Sequence, residues 1–119
     1  MRRVPTLPDF KSLPRTSEQA QKWYGLGIMH YRAGEHEVAL AYLTAATEIT
    51  NDARYWIYRG IAELALGRND QADDSFQSGW LQVKSHRSDK RLLGESLELV
   101  QGSTRNRIET IRKRLGVSW

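Results

Sequence analysis

The chain has 119 residues, of which 39% are hydrophobic and 27% charged, so it is long enough for one globular domain with one core. It contains no cysteine, which excludes a disulfide framework, a thiolate zinc site and a cysteine nucleophile. No apolar run reaches the length of a membrane-spanning helix, and the basic start is not followed by the apolar segment of a secretory signal. We therefore expect a cytoplasmic protein that does not contact a membrane.

The net charge of +4 is unevenly distributed along the chain. Residues 1–16 carry four basic residues and one acidic residue, residues 17–83 carry five basic and nine acidic, and residues 84–119 carry nine basic and four acidic. A mildly acidic middle is therefore flanked by two basic ends. Such an asymmetry bears on the choice of partners and not on the fold.

Residues 1–16 form a proline-containing arm that we expect to be extended or irregular. Pro5, Pro8 and Pro14 each fix φ and remove a backbone donor. Apolar residues recur there at every third position, as along a polyproline-like strand with one apolar edge. The arm is either a disordered tail or a segment that packs on the rest of the domain, with Phe10 and Leu13 as its candidate contacts.

The remainder, residues 17–119, is predicted to form a single helical domain without a sheet. Hydroxyl and acidic caps mark the helix starts, with Asn69 or Asp70 as the cap of the fourth helix, and glycines mark several helix ends. No segment alternates in the way that a half-buried strand requires. The expected helices cover about residues 17–32, 36–50, 53–66, 69–84, 89–101 and 103–115.

Two tryptophans, Trp23 and Trp56, set a repeat spacing, because the sequence around the second repeats the sequence around the first. A fixed period of this size indicates a repeat architecture, in which one helix pair stacks on the next. We place the first repeat at about residues 20–52 and the second at about 53–86, followed by C-terminal helices at about 89–115. The other pairs matched at this spacing are Gly27 with Gly60, Gly34 with Gly67, Ala39 with Ala72, Leu43 with Phe76, and Ala46 with Gly79.

This unit resembles the tetratricopeptide repeat, whose pattern is W-x2-L-G-x2-Y, then A-x3-F and a closing proline. Both copies keep the tryptophan, the glycine, the alanine of the second helix and the large residue four positions later. They depart from the pattern at His30 and Glu63, where the family has tyrosine, and no proline closes either copy. The resemblance implies an all-α fragment of an α-solenoid with C-terminal capping helices. It also implies a scaffold or adaptor that binds proteins.

Tetratricopeptide repeats bind peptides along a concave face that the first helix of each pair lines. The family's carboxylate-binding Lys and Asn are not found at the matching positions here, so that known function is not expected. An apolar face must still be covered, by the chain's own fifth helix, by the arm, by a partner peptide or helix, or by a second copy. The groove residues implied by the resemblance are Tyr24, Ile28, Tyr31, Ile57, Ile61 and Leu64.

The last helix carries the second candidate site, a basic patch. Clustered cations on one helix face can bind phosphate groups, so a nucleic acid or an acidic partner is the alternative function. The same residues can also form an ordinary solvated face, and we expect the side chains of Arg107, Arg112 and Arg114 to be exposed. The patch consists of Arg105, Arg107, Arg112, Lys113 and Arg114.

No residue set indicates catalysis, a cofactor or a metal site. The three histidines do not pair at the one-turn spacing of a helix-borne metal site, and no nucleophile has a neighbouring base and orienting group. We therefore expect an adaptor that is not an enzyme. It should bind a peptide or helix of a protein partner, or a second copy of itself, through the apolar groove.

Overall fold

The computed structural model describes residues 6–86 and 88–119, and the regular structure of these residues is entirely helical. The predicted all-α class is confirmed, with adjacent helices packed compactly on one another. Residues 1–5 of the predicted arm lie outside the described residues. Among the described residues, a 3-10 helix at Phe10–Ser12 precedes six α-helices: α1 (Ser17–Arg32), α2 (His36–Ile49), α3 (Ala53–Ala65), α4 (Asn69–Lys84), α5 (Lys90–Ser96) and α6 (Gly102–Arg114).

The first four helices begin and end within one residue of their predicted bounds. The Thr16 hydroxyl accepts a hydrogen bond from the backbone N–H of Gln19, and this cap begins α1. The predicted cap of α4 is wrong, because Arg68 occupies the cap position without a side-chain cap bond and Asn69 is already the first helical residue. No described helix is both long and apolar enough to cross a membrane.

The fifth helix is shorter than predicted, since α5 stops at Ser96 and a turn follows. The side chain of Arg105 donates from Nη1 to the backbone carbonyls of Leu97 and Val100, at 2.8 and 3.4 Å. These hydrogen bonds give partners to carbonyls that follow the end of α5. Gly102, which directly follows the predicted range 89–101, is the first residue of α6 and has a φ of +70°.

The interior of the first helix pair (α1 and α2) recurs at the repeat spacing in the second helix pair (α3 and α4). A Cβ added at Gly27 would lie 2.6 Å from Cγ of Leu43, and a Cβ added at Gly60 would lie 2.5 Å from Cε1 of Phe76. Each glycine therefore lets a large residue of the facing helix approach the backbone, as close helix packing requires. The second pair stacks on the first through contacts between α2 and α3.

The turn inside each pair recurs in the same way. Gly34 and Gly67, which are matched at the repeat spacing, have φ values of +79° and +76°, and such values favour glycine. Their N–H groups donate to the carbonyls of Tyr31 and Leu64, each at 3.0 Å. The two helix pairs thus share both their interior contact and their connecting turn.

Both ends of this four-helix stack are covered. At one end, the ring of Phe10 packs edge-on against Trp23 and Tyr42, with centroids 5.0 and 5.5 Å apart. At the other end, α6 packs on α4, and the buried indole of Trp80 donates to the carbonyl of Ile108 at 3.0 Å. The described part of the arm therefore packs on the helices, which decides between the two alternatives that the sequence left open.

Candidate functional site

The six residues of the predicted groove do not share one surface. Ile57 and Ile61 are only 0% and 2% exposed, so their side chains belong to the core. Ile57 reaches across to α4, where a Cβ added at Gly79 would lie 2.8 Å from its Cδ1. The structure therefore removes these two residues from any surface that a partner could contact, because helix packing already uses them.

The other four groove residues are half-buried and pack against the core. Tyr24 illustrates why: its ring lies 4.8 Å from that of Tyr55 and 5.8 Å from that of Tyr58. Burial, and next the neighbouring Tyr58, raise the pKa of the Tyr24 phenol well above its ordinary value. Tyr24 therefore joins α1 to α3 and is not a free anchor. The four residues are Tyr24, Ile28, Tyr31 and Leu64.

The chain's own fifth helix covers the part of the groove that belongs to α3. Leu93 of α5 and Leu97 just after it are both fully buried in the same core cluster as α3. The hydroxyl of Tyr58 on α3 donates to the carbonyl of Ser96, the last residue of α5. Self-capping was one of the alternatives left open by the sequence, and the structure shows it for this part of the face.

A recess of about 350 Å³ stays open between α1, α3 and the connection from α5 to α6, and we call it the Tyr31 recess. Leu99, in that connection, is 80% exposed, more than any other large apolar side chain in the described residues. Burial raises the pKa of Tyr58, and the nearby guanidinium of Arg32 partly offsets that effect. The wall includes Tyr31, Arg32, Tyr58, Leu99, Val100 and Thr104.

The basic residues of α6 do not act as one free patch. Arg107 reaches α4 and holds Asp73 in a bidentate pair, with N–O distances of 2.6 and 2.8 Å. These hydrogen bonds raise the pKa of Arg107. Since the two partners lie far apart in sequence, on α4 and α6, no local pattern could reveal this pair.

Two more of these arginines share the carboxylate of Glu109. Its oxygens lie 3.1 Å from Nε of Arg105 and 2.5 Å from Nε of Arg112, and the indole of Trp119 donates to them at 3.1 Å. Burial alone would raise the pKa of Glu109, but hydrogen bonds from Arg112, Trp119 and Arg105 outweigh it and lower the pKa.

The expected exposure is therefore wrong for Arg112, whose side chain is only 14% exposed because Glu109 and the carbonyl of Val117 hold it. Lys113 and Arg114 are the exposed members. Two exposed cations are a small site for a phosphate backbone, which engages many charges at once.

A second cavity, also of about 350 Å³, lies between α2, α3 and α4, and we call it the α2–α4 cavity. Its walls are mostly polar, which sequence reasoning missed. The signal lay in the repeat itself, because most of the matched residues in the first repeat are apolar. The polar wall includes Arg59, Glu63, Gln71, Asp74, Ser75 and Ser78. Their counterparts in the first repeat are, in the same order, Leu26, His30, Val38, Ala41, Tyr42 and Ala45.

Comparisons of this chain with models of protein families, with curated proteins and with solved structures find no match. Two of the open sites of the described structure, the Tyr31 recess and the α2–α4 cavity, have walls whose chemistry indicates a ligand.

Proposed function

We propose that this protein is a small adaptor, built from two tetratricopeptide-like helix pairs, which binds a protein partner through the Tyr31 recess. The observation that carries the proposal is the 80% exposure of Leu99 at the mouth of a recess of about 350 Å³. Covering apolar surface is favourable by about 25 cal/mol per Å², so an apolar side chain seated against Leu99 would stabilise a complex.

The tetratricopeptide-like part of the proposal is supported by the contacts that recur at the repeat spacing. Small residues lie where helices approach closely, and large residues fill the facing space, as the family's pattern requires. The arm and the C-terminal helices cover the two ends of the stack, so a side of the stack is the surface left for a partner. In such proteins the concave side is the usual place for a peptide.

The walls of the recess indicate the chemistry of the partner. Tyr31 offers a half-buried aromatic ring with a polar tip, which suits an interface, and Arg32 supplies a positive charge at the rim. An apolar side chain next to an aspartate or glutamate satisfies both features. We therefore propose a peptide segment of this composition, in a cytoplasmic partner, as the ligand of the recess.

A randomised peptide library displayed on phage tests this proposal with the whole chain as bait. Enriched peptides should place an apolar residue beside an aspartate or glutamate. The variant Tyr31→Ala should weaken their binding by about tenfold or more, as for an interface hot spot. Leu99→Ser should weaken it less, and calorimetry with one selected peptide measures both effects.

The matched control is Met29→Ser on α1, because Met29 is 54% exposed and does not line the recess. It should leave peptide binding unchanged. Selected peptides that bind the Tyr31→Ala variant as well as the original chain would place the interface elsewhere. A concentration-dependent mass that Leu99→Ser abolishes would identify a second copy of this chain as the occupant.

A further inference from the structure

The two helix pairs share one interior contact and one type of connecting turn, and we call these shared features the frame. The space beside the first helix of the pair is filled in the first pair and open in the second. In the first pair, the ring of His30 stacks on that of Tyr42 at 5.4 Å, and its Nδ1 lies 3.1 Å from the carboxylate of Glu35. Phe10 of the arm packs on the same tyrosine. Aromatic rings and an internal pair therefore occupy the region that corresponds to the α2–α4 cavity.

In the second pair, Glu63 takes the place of His30 and is only 5% exposed. The hydroxyl of Ser75 donates to it, but no cation of the described residues lies within ion-pair distance. Arg68 stands where Glu35 stands in the first pair, yet it pairs with Glu37 of α2 at 2.8 Å. A buried carboxylate without a cation is costly, so this end of the cavity favours a ligand that carries a positive charge.

Asp74 adds a second carboxylate to the same wall. It belongs to α4, is exposed, and forms no ion pair with another described residue. Glu63 and Asp74 thus line one cavity from two helices, and neither carboxylate forms an ion pair with a described cation, although Arg59 and Arg68 line the same cavity. An ammonium group has three donors, so it can bind a carboxylate and further acceptors of the wall.

The other end of the cavity carries hydrogen-bond donors instead of carboxylates. The guanidinium of Arg59 lies 5.1 Å from the ring centre of Trp56, and its Nη1 donates to the hydroxyl of Thr47 at 3.0 Å. The Nε of Arg59 and the indole Nε1 of Trp56 are buried donors without an acceptor in the described residues. Buried donors of this kind are destabilising until an acceptor reaches them. A carbonyl or carboxylate oxygen at this end would give these donors an acceptor once their side chains turn toward the cavity.

Arg59 and Glu63 are four residues apart on α3, so the two ends are separated by about 6 Å along the helix axis. Leu40 and the ring of Trp56 supply the apolar part of the wall. A volume of about 350 Å³ falls at the lower end of the range for small-molecule sites. The combination describes a small ligand with an ammonium group, a nearby oxygen acceptor and an apolar side chain.

We propose that the α2–α4 cavity binds an apolar amino-acid residue through its α-ammonium group and its carboxylate or carbonyl oxygen. The ammonium group binds Glu63 and Asp74, and the oxygen binds at the Arg59 and Trp56 end. A free amino acid and the first residue of a peptide share this chemistry. This site is separate from the Tyr31 recess and does not depend on the function proposed for it.

Titrations of the isotope-labelled chain with leucine, leucinamide and N-acetylleucinamide test the proposal by NMR. The indole N–H signal of Trp56, assigned with the variant Trp56→Phe, reports on the cavity. Leucine or leucinamide should shift this signal in a saturable manner, whereas N-acetylleucinamide, which lacks the ammonium group, should not. Tighter binding of leucine indicates a free amino acid, and tighter binding of leucinamide indicates a peptide N-terminus.

Two conservative variants separate binding from folding. Glu63→Gln keeps an oxygen for the hydroxyl of Ser75 but removes the charge, and we expect about tenfold weaker binding or more, as for the loss of a charged hydrogen bond. Asp74→Asn, at an exposed position, should weaken binding without disturbing the core. Glu98→Gln is the matched control, since Glu98 is exposed and does not line the cavity.

At the acceptor end, Arg59→Leu introduces the residue that the first pair has at Leu26. It should weaken the binding of whichever ligand shifts the Trp56 signal. The proposal is overturned if neither leucine nor leucinamide shifts that signal, or if N-acetylleucinamide binds equally well. Unchanged affinity in both Glu63→Gln and Asp74→Asn would also overturn it.

Discussion

The first and second helix pairs use one packing scheme but differ in the side chains that surround it. Gly27 faces Leu43 in the first pair, and Gly60 faces Phe76 at the matched positions of the second. Outside this contact, Tyr42 of the first pair corresponds to Ser75 of the second. Positions where helices touch thus keep a small residue opposite a large one, because close packing leaves no room for two large side chains there.

Beside that contact, the residue types depend on which segment covers each pair. The arm covers the first pair with Phe10, and apolar residues meet it there. The second pair has α2 as its neighbour, and a cavity with polar walls remains between α2 and α4. In this chain, the residues that recur at the repeat spacing form the packing frame. The residues that differ between the two pairs line the surfaces available for ligands.

The largest expected effect comes from overfilling the shared frame. Ala39→Trp and Ala72→Trp place an indole at positions that are fully buried between facing helices. Each should lower the free energy of unfolding by about 3 kcal/mol or more, at or beyond the upper range for overpacking. Chemical denaturation measures both. Ala65→Trp, at an exposed alanine of α3, is the control and should change little.

If only one of the two indole variants is destabilised, the pairs do not share a frame and the comparison fails. Similar losses in both would sharpen it, since the two alanines occupy corresponding positions of different pairs.

The second prediction concerns the cover that only the first pair receives from the arm. Phe10→Ala removes a half-buried ring from Trp23 and Tyr42, so we expect a loss of about 1–3 kcal/mol, below the cost at a fully buried phenylalanine. Thermal unfolding followed by circular dichroism measures it. Leu7→Ala, at a residue that is 41% exposed, should cost much less. Equal effects of the two variants would show that the arm does not pack as described.

The third prediction separates the arginines of α6 by their partners. Arg112→Glu places a second acid beside Glu109 at a site where the side chain is 14% exposed, and should cost about 1–3 kcal/mol. Arg107→Glu breaks a half-exposed pair with Asp73 and should cost less than about 1 kcal/mol. Lys113→Glu, at an exposed residue, is the control, and urea unfolding ranks the three. Equal stability of all three variants would indicate that these three basic side chains are all exposed and form no structural pair.

The smallest effect is a pH dependence that belongs to the C-terminal helices. The pKa of Glu109 is lowered below its ordinary 4.5 in the folded chain, so the unfolded chain binds its proton more readily. The stabilising contribution is therefore complete above the ordinary pKa and is lost as the pH falls through the lowered folded value. Glu109→Gln should flatten the acid side of a stability curve measured from pH 6 to pH 3. An unchanged acid slope would show that Glu109 is not held as described.

The frame could be predicted from sequence because its signals are local and periodic. Trp23 and Trp56 set the spacing, and Gly34 and Gly67 mark turns whose positive φ favours glycine. The early end of α5 has no such local signal, and the hydrogen bond from Arg105 to the carbonyl of Leu97, just after that end, comes from the next helix.

The candidate sites were harder to predict because they depend on contacts between residues of different helices. Ile57 and Ile61 have the spacing of a surface stripe, but Ile57 packs against α4, and both residues lie in a core cluster that includes residues of α4 and α5. The pair between Arg107 and Asp73 joins two helices that are distant in sequence. The signal for the α2–α4 cavity lies in the positions at which the two copies differ. A comparison that looks only for matching residues does not detect these positions.

The most direct test of the central claim, that both helix pairs share one frame, is a pair of through-space proton contacts measured by NMR. We expect two sets of strong nuclear Overhauser effects in the whole chain. One joins the α-protons of Gly27 to the methyl groups of Leu43, and the other joins those of Gly60 to the ring of Phe76. Observation of one set without the other would contradict the account.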